Sequence, residues 1–379
     1  MADFENIKRL LDKSSELGIP AIDIVIYHKG REVFRETRGV MDEDGTPLTR
    51  STLFNLYSTS KFITCASALT LLDDGVISLD DAVAKYIPSF GDVCVRRGDK
   101  IEKAESTLKL KHLFTMTGGL SYDVQDFAIT LGKSETDGKC PTVRMMDYIA
   151  KMPLVFEPGE SWRYSFSHDV IAAIVEVASG KRFGEYVKER IFDPLGMTDT
   201  TYCLDELRLS EVCTQYLYDK EKGYQNIGKN IRNYKLGSEY ESGGAGGVST
   251  VNDYIKFLEG VRLGKVISFD ALELMTREHL NSSQREASWV EKGYSYGLGI
   301  RVPDSSGIRT DFGWNGAAGA YAAIDLKNEI SLYYSQAVLG SPARPLQSSY
   351  IEAAKLDLGL DACVSEMWKE RLDPKTGIY

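Results

Sequence analysis

A serine and a lysine three positions apart could together form a nucleophile and the group that activates it. They are Ser58 and Lys61, in the tetrapeptide Ser-Thr-Ser-Lys. A serine hydroxyl attacks a carbonyl carbon efficiently only when a neighbouring group removes its proton. Residues i and i+3 of a helix lie on one face, so we expect the Lys61 amine to lie against the Ser58 hydroxyl. An amine kept away from water gives up its proton more readily, so this pair predicts acyl transfer through a serine ester.

The residues that follow Ser58 favour this pair over a second copy of the pattern. Apolar residues recur at helical spacing as far as Leu72, and Gly75 ends the pattern. We therefore expect a buried helix with Ser58 at its amino terminus, where free N–H groups and the helix dipole stabilise an oxyanion. The second copy begins at Ser106, in an alternating stretch that turns its lysines toward water. Ser106 is therefore predicted to be structural.

Other catalytic chemistries have weaker support in the sequence. There is no GxSxG segment, which would place a serine on a strained turn between a strand and a helix. A Ser-His-Asp triad stays open because the chain has four histidines, although we expect His168 to be exposed in the first turn of a helix. No histidine has another histidine or a cysteine at ligand spacing, so the sequence implies neither a metal site nor a cofactor.

Composition limits the partners of this chain. A formal net charge of −10 argues against nucleic acid and anionic membranes, because both attract basic surfaces. No run approaches the roughly 18 apolar residues of a membrane-spanning helix. The first residues lack the apolar segment of a signal peptide, which predicts a cytoplasmic location, and the six scattered cysteines are typical of reduced thiols. The predicted partner is a small-molecule acyl substrate, and the sequence does not indicate the oligomeric state.

The order of helical and strand patterns predicts an α+β fold. Periodicity predicts helices at 4–17, 58–72, 145–151, 168–179, 183–190, 251–262 and 346–358, and strands at 22–27, 31–40, 294–302, 308–314, 320–325 and 330–337. The simplest packing is one antiparallel sheet flanked by helices, with a largely helical inserted lobe. The predicted domains are a discontinuous α/β domain, residues 1–85 and 286–379, and a mostly helical lobe, residues 86–285. We expect the site in the cleft between them.

Five segments in order resemble landmarks of the serine β-lactamase-like superfamily. This superfamily includes class C β-lactamases, D,D-peptidases, family VIII carboxylesterases and related acyltransferases. The segments are FNLYSTSKF at 54–62, LFTMTGGL at 113–120, PGESWRYS at 158–165, DPLGMTDT at 193–200 and GGVSTVNDY at 246–254. The resemblance extends over roughly residues 20–355 and implies the superfamily's antiparallel sheet, its helical lobe and its serine chemistry.

By this resemblance Tyr164 is the second catalytic group. A tyrosine beside the nucleophile could relay a proton between Ser58, Lys61 and the leaving group. The superfamily usually has Tyr-x-Asn or Tyr-x-Ser at this point, whereas this chain has Tyr164-Ser165-Phe166. The amide that helps bind a β-lactam or a peptide is therefore absent, and Phe166 is predicted to contact the substrate.

The third motif of the β-lactamases, Lys-Thr-Gly, also differs in this chain. A Lys-Thr-Gly does occur at 375–377, but it lies too close to the end of the chain for the strand and helix that must follow it. The match by position is Trp314-Asn315-Gly316, which resembles the Trp-Gly-Gly of esterases and acyltransferases, and these three residues are predicted to bind substrate. The resemblance implies an oxyanion hole formed by the backbone N–H groups of Ser58 and Ala317.

These residues predict a serine hydrolase, and first of all a carboxylesterase for small or medium acyl esters. Trp314 in place of a lysine removes a cation that would bind a β-lactam carboxylate and provides an apolar wall instead. An acyltransferase with the same chemistry is an open alternative, followed by a D-amino-acid peptidase or amidase and a weak β-lactamase. A non-catalytic binding relative should have lost the serine, the lysine or the tyrosine, and all three are present.

Overall fold

The structure, a computed structural model, describes residues 3–229 and 235–362. The strands are β1 (Ala21–His28), β2 (Arg31–Gly39), β3 (Leu53–Asn55), β4 (Cys94–Arg97), β5 (Lys100–Lys103), β6 (Gln215–Asp219), β7 (Gly223–Gly228), β8 (Val248–Thr250), β9 (Tyr294–Tyr296), β10 (Arg301–Pro303), β11 (Phe312–Asn315), β12 (Tyr321–Asp325), β13 (Ile330–Gln336) and β14 (Val338–Leu339). The helices are α1 (Glu5–Glu16), α2 (Ser60–Asp73), α3 (Leu110–Phe114), α4 (Phe127–Glu135), α5 (Thr142–Ile149), α6 (Ser167–Ser179), α7 (Phe183–Val187), α8 (Asp193–Leu195), α9 (Val251–Arg262), α10 (Phe269–Thr276), α11 (Ser282–Ala287) and α12 (Ser349–Asp357).

One antiparallel sheet joins the early and late strands of the chain. Its seven strands lie in the order β2-β1-β13-β12-β11-β10-β9. β1 pairs with β13 in an antiparallel register that sets Val25 opposite Tyr333. The predicted fold class, an antiparallel sheet flanked by helices, is therefore confirmed.

Helices cover both faces of this sheet. Side chains alternate along a strand, so Ile24 faces one way and Val25 the other. Ile24 belongs to the apolar cluster that contains Leu10 of α1 and Ile351 of α12. Val25 belongs to the larger cluster that includes residues of α2 and α9. Both faces are covered, which is why β1 is buried along most of its length instead of alternating with polar residues.

The segment between β2 and β9 contains most of the helices, as predicted, together with short sheets. β4 pairs with β5, β6 pairs with β7 and β14, and β3 pairs with β8. None of the described helices has the length and apolar character needed to cross a membrane. The five cysteines in the described residues are free, and Cys363 lies outside them, as does the Lys-Thr-Gly at 375–377. The division into 1–85 with 286–379 and 86–285 stays a prediction.

Several predicted boundaries were wrong. The single strand predicted at 294–302 is two antiparallel strands, β9 and β10, because the chain reverses at Gly297–Gly299, where Gly299 has a φ of 87°. The strand predicted from residue 308 begins only at Phe312. The helix predicted at 183–190 changes after Val187 into a wider π-helical turn, Lys188–Phe192.

Candidate active site

Ser58 lies in a tight turn that leads directly into a buried helix. The turn, Tyr57–Thr59, is a 3₁₀ helix, and α2 begins after it at Ser60, two residues later than predicted. Tyr57 has a φ of 47°, in the left-handed region that a side chain with a Cβ adopts at a cost of about 1–3 kcal/mol. The nucleophile candidate therefore follows a strained residue, and α2 behind it is almost entirely buried, as expected from its apolar pattern.

A glycine-rich loop, residues 242–247, packs against the start of α2. The pairing of β3 with β8 brings this loop beside the nucleophile. Leu56 N–H donates to the carbonyl of Gly247 at 2.9 Å, and Gly247 N–H donates to Ser60 Oγ at 3.0 Å. A Cβ on Gly247 would lie 2.9 Å from Leu56 Cδ1 and 3.0 Å from Ser60 Oγ, so a larger residue there would have to displace these two side chains. The bond between Leu56 and Gly247 is the close backbone approach that a glycine cluster indicates.

Tyr164 contacts the nucleophile candidate directly. Its hydroxyl donates a hydrogen bond to Ser58 Oγ at 2.6 Å, across 106 residues of sequence. The segment before α6 that carries Tyr164 is fixed on both sides by backbone bonds, from Arg163 N–H to the carbonyl of Met116 and from Phe166 N–H to the carbonyl of Ser121. A serine hydroxyl this close to a phenol can exchange a proton with it.

Lys61 is completely buried, with 0 % of its surface exposed, and it lies next to Tyr164. Its Nζ is 4.4 Å from the centre of the Tyr164 ring and donates a hydrogen bond to the carbonyl of Gly244 at 2.6 Å. Among the described contacts, the hydrogen bond to Ser58 Oγ comes from Tyr164 and none comes from Lys61. Tyr164 therefore contacts both Ser58 and Lys61.

A cavity of about 380 Å³ opens beside Ser58. Aromatic rings form much of its wall, and they are Tyr122, Tyr164, Trp289, Tyr294, Trp314 and Tyr321. The Trp314 ring is stacked with the Tyr164 ring at 6.2 Å, and Trp289 lies 4.8 Å from Tyr164 on another side. The aromatic part of the wall suits an apolar acyl group, whereas Glu291, Gln347 and Ser348 add polar groups to the lining.

Most of the residues predicted to bind substrate line this cavity. Trp314, Asn315, Gly316 and Ala317 all contribute to its wall, and the N–H of Ala317 donates no backbone hydrogen bond among the residues that the structure describes. An N–H group left available beside Ser58 is what an oxyanion hole requires.

The prediction that Phe166 contacts the substrate does not agree with its position. Phe166 is 2 % exposed and is not among the residues that line the cavity. Its ring packs 4.7 Å from that of Tyr122, which does line the cavity. Phe166 therefore supports the wall, because the backbone turns it into the apolar core at the start of α6.

The position of His168 also differs from the prediction. It lies in the first turn of α6 but is fully buried, since α6 packs against both α2 and α5. Its Nε2 is 3.7 Å from Cys65 Sγ and 3.5 Å from the carbonyl of Phe114. Burial lowers the pKa of His168 well below its ordinary value and raises that of Cys65, so both groups are uncharged near neutral pH. None of the described hydrogen bonds joins a histidine to Ser58, so a Ser-His-Asp triad has no geometric support.

Sequence reasoning missed several residues of the cavity wall. Trp289, 62 % exposed, stands on the loop between α11 and β9, and Arg344 is exposed on the segment before α12. Arg301 is buried, and its guanidinium donates to Asp311 at 3.1 Å. Arg301 and Arg344 therefore bring positive charge to the cavity wall, although Trp314 stands where the β-lactamases have a lysine. A tryptophan in a loop was the available signal for Trp289, and nothing local distinguished the two arginines.

Most of the chain matches one known protein family. The family model described as Beta-lactamase matches residues 6–354. The chain belongs to the Beta-lactamase family. Membership confirms the predicted resemblance and the prediction of a serine hydrolase.

Two curated relatives and one solved structure show how far the similarity extends. Protein Rv1367c of Mycobacterium tuberculosis is 27 % identical over 371 residues, which cover 85 % of this chain and 90 % of the relative. Esterase EstB of Burkholderia gladioli is 28 % identical over 268 residues, 64 % of this chain and 66 % of EstB. The structure of EstCE1, a hydrolase with promiscuous acyltransferase activity, superimposes with a TM-score of 0.74 at 22 % identity over 93 % of this chain and 99 % of EstCE1.

Proposed function

We propose that this protein is a carboxylesterase that forms an acyl-enzyme on Ser58. The observation that carries this proposal is the 2.6 Å hydrogen bond between Tyr164 and Ser58 at the wall of a cavity that is partly lined by aromatic rings. The similarity to EstB supports an ester substrate. The aromatic part of the wall favours a small or medium apolar acyl group.

In the first step Ser58 Oγ attacks the carbonyl carbon of the ester. In the reactive form Tyr164 has released its own hydroxyl proton to solvent and is a phenolate, whose negative charge the Lys61 ammonium beside the ring stabilises. The serine proton passes to this phenolate oxygen, which becomes a neutral hydroxyl. The N–H groups of Ser58 and Ala317 stabilise the tetrahedral oxyanion. The bond from the carbonyl carbon to the leaving alkoxide then breaks, and Tyr164 returns the proton to the alkoxide.

The second step releases the acyl group. A water molecule gives its proton to Tyr164 and attacks the acyl-enzyme, and Tyr164 then protonates Ser58 as the ester bond breaks. An alcohol in place of water gives acyl transfer, which is the second candidate function. The cavity supports this acyltransferase candidate, because a volume of about 380 Å³ can hold an organic acceptor as well as an acyl group. EstCE1, a hydrolase with promiscuous acyltransferase activity, combines the same pair of activities.

Intact-protein mass spectrometry with a fluorophosphonate tests the proposal. We expect one covalent adduct, located on Ser58 by peptide mapping, and no adduct on a Ser58→Ala variant. Ser106→Ala is the matched control, because Ser106 begins the second Ser-x-x-Lys but is exposed, and it should label like the wild type. An undiminished adduct on Ser58→Ala would show that another group is the nucleophile.

A substrate panel then separates the candidate activities. p-Nitrophenyl esters from acetate to octanoate, with and without a short alcohol, should show whether water or an alcohol preferentially accepts the acyl group. Nitrocefin turnover as fast as that of the best ester would instead assign the site to β-lactams, and faster turnover of D-amino-acid amides would assign it to amides. The cytoplasmic location stays a prediction.

A further inference from the structure

A buried carboxyl group lies behind the candidate catalytic residues. Asp169, in α6, is 1 % exposed. Its Oδ1 accepts a hydrogen bond from Ser242 Oγ at 2.6 Å, whereas its Oδ2 makes no hydrogen bond among the described residues. A carboxyl group this deep is expensive to bury unless its charge is balanced nearby. Asp169 has no part in the steps described above, so its presence needs an explanation.

Lys61 is the charge that faces this carboxyl group. Burial raises the pKa of Asp169, and the Lys61 ammonium opposes that rise. The other groups facing Asp169 are the hydroxyls of Tyr240 and Ser242 and the backbone N–H of Gly244. The neighbouring His168 is uncharged, since burial lowers its pKa well below the ordinary value. Lys61 also acts on Cys65 and His168, but burial keeps the Cys65 thiol and the His168 ring uncharged near neutral pH.

The glycine-rich loop makes hydrogen bonds with both Asp169 and Lys61. Ser242, at one end of the loop, is bonded to Asp169, and the carbonyl of Gly244 accepts the hydrogen bond from Lys61 Nζ at 2.6 Å. A Cβ on Gly244 would lie 2.5 Å from Asp169 Oδ2, so the carboxyl group lies directly against the backbone that holds the lysine. Asp169 and Lys61 therefore contact the same short loop.

We propose that Asp169 is a positioning residue that keeps Lys61 in its charged form beside Tyr164, so that Tyr164 and not Lys61 takes the proton from Ser58. This inference rests on the proposed function. It assigns the two proton-handling groups separate roles: the buried carboxylate fixes a positive charge at Lys61, and that charge stabilises the tyrosine oxygen during transfer. A lysine without this counter-charge would lose its proton more easily in a buried site.

The pH profile of kcat/KM for an ester tests the inference through two variants. Asp169→Asn keeps the shape of the side chain and an acceptor for Ser242 but removes the charge. Its alkaline limb should move to lower pH by about 1 unit, because Lys61 then loses its proton earlier. Ser242→Ala removes the hydrogen bond to Asp169 but keeps the charge of Asp169. It should therefore lower kcat and leave the pH of the alkaline limb unchanged. Asp169→Glu, which restores the charge, should move the limb back toward the wild type.

An alkaline limb that stays unchanged in Asp169→Asn would overturn the inference. A shift of the acid limb alone would also overturn it, because that result makes neutral Lys61 the base. NMR titration of ¹³Cε-labelled lysines gives a reading that needs no turnover, with the Lys61 signal assigned by its loss in Lys61→Met. Wild-type Lys61 should stay charged through the pH range of maximal activity, and a neutral Lys61 there would refute the inference even if Asp169→Asn failed to fold. A wild type that does not acylate Ser58 would refute the proposed function, while this titration would still decide the role of Asp169.

Discussion

Replacing Tyr164 with phenylalanine separates the chemistry of the site from its packing. The substitution removes the hydroxyl that donates to Ser58 Oγ at 2.6 Å. It keeps the ring, and with it the contacts to Trp289 at 4.8 Å and to Trp314 at 6.2 Å. The ring also continues to lie 4.4 Å from Lys61 Nζ. The change therefore takes away one proton-transfer group and leaves the wall of the cavity in place.

The expected loss of rate is much larger than the expected loss of stability. A positioned acid-base group contributes about 100- to 10,000-fold to a rate, which corresponds to about 3–5 kcal/mol in the activation free energy. One hydrogen bond in a half-buried position contributes only about 0.5–1.5 kcal/mol to the free energy of unfolding. A fall in kcat/KM of more than 100-fold with a small change in Tm would therefore identify a chemical role for the hydroxyl.

Stopped-flow kinetics with p-nitrophenyl acetate measures the acylation step by itself as a burst of p-nitrophenol. We expect the burst rate of Tyr164→Phe to fall by the factor given above, with the melting temperature followed in parallel. Tyr122→Phe is the matched control, because Tyr122 also lines the cavity and its ring is 5.8 Å from that of Tyr164. Its burst rate should stay within about tenfold of the wild type. An acylation rate of Tyr164→Phe within tenfold of the wild type would refute the assignment of Tyr164 as the proton acceptor.

Two further predictions concern the acyl pocket and the stability of the fold. Trp289→Ala should raise KM for octanoyl esters at least tenfold and change acetyl esters little, because Trp289 forms an exposed part of the cavity wall; Phe269→Ala, an exposed aromatic change away from the cavity, is the control in the same ester series. Burial and the neighbouring lysines lower the pKa of His112 to about 4, so the folded protein binds its proton less readily than the unfolded chain does. The free energy of unfolding should therefore fall as the pH drops from 6.5 to 4 on account of this residue. Urea unfolding at several pH values across that range should show that the free energy of unfolding of His112→Asn depends less steeply on pH than that of the wild type. An equal pH dependence in the two proteins would contradict the reasoning.

The sequence predicted those parts of the site that depend on local pattern or on the order of motifs. The apolar spacing after Ser58 correctly indicated a buried helix, because a helix without a polar face has no side to turn to water. The order of the resembling segments singled out Tyr164 and Trp314, which the structure places on one cavity wall. Their roles in catalysis remain predictions that the kinetic experiments test.

Other parts of the site depend on contacts that no local pattern contains. The carbonyl that binds Lys61 belongs to Gly244, 183 residues away, and its position follows from the pairing of β3 with β8. His168 was expected to be exposed because the first turn of a helix commonly reaches solvent, but neighbouring helices enclose α6 on several sides. Trp289 lies between elements, where periodicity provides no information.

The Trp314-Asn315-Gly316 segment shows how one motif divides into separate physical tasks. The Trp314 ring forms part of the cavity wall. The side chain of Asn315 makes two hydrogen bonds within the protein: Arg301 donates to its Oδ1 at 2.8 Å, and its Nδ2 donates to Gln347 at 2.8 Å. These two hydrogen bonds brace the strand, while one N–H of Nδ2 and one lone pair of Oδ1 lie outside them.

Gly316 has a third task, which concerns the geometry of the proposed oxyanion hole. A Cβ at this position would lie 2.8 Å from the carbonyl oxygen of Leu56, so glycine lets the end of β11 lie against the backbone that leads to Ser58. In the proposed oxyanion hole, we therefore expect backbone contact rather than side chains to set the separation of the Ser58 and Ala317 N–H groups. Changes to the aromatic wall should accordingly alter which acyl group or acceptor is used while leaving oxyanion stabilisation intact, whereas Gly316→Ala should slow acylation of every ester by a similar factor.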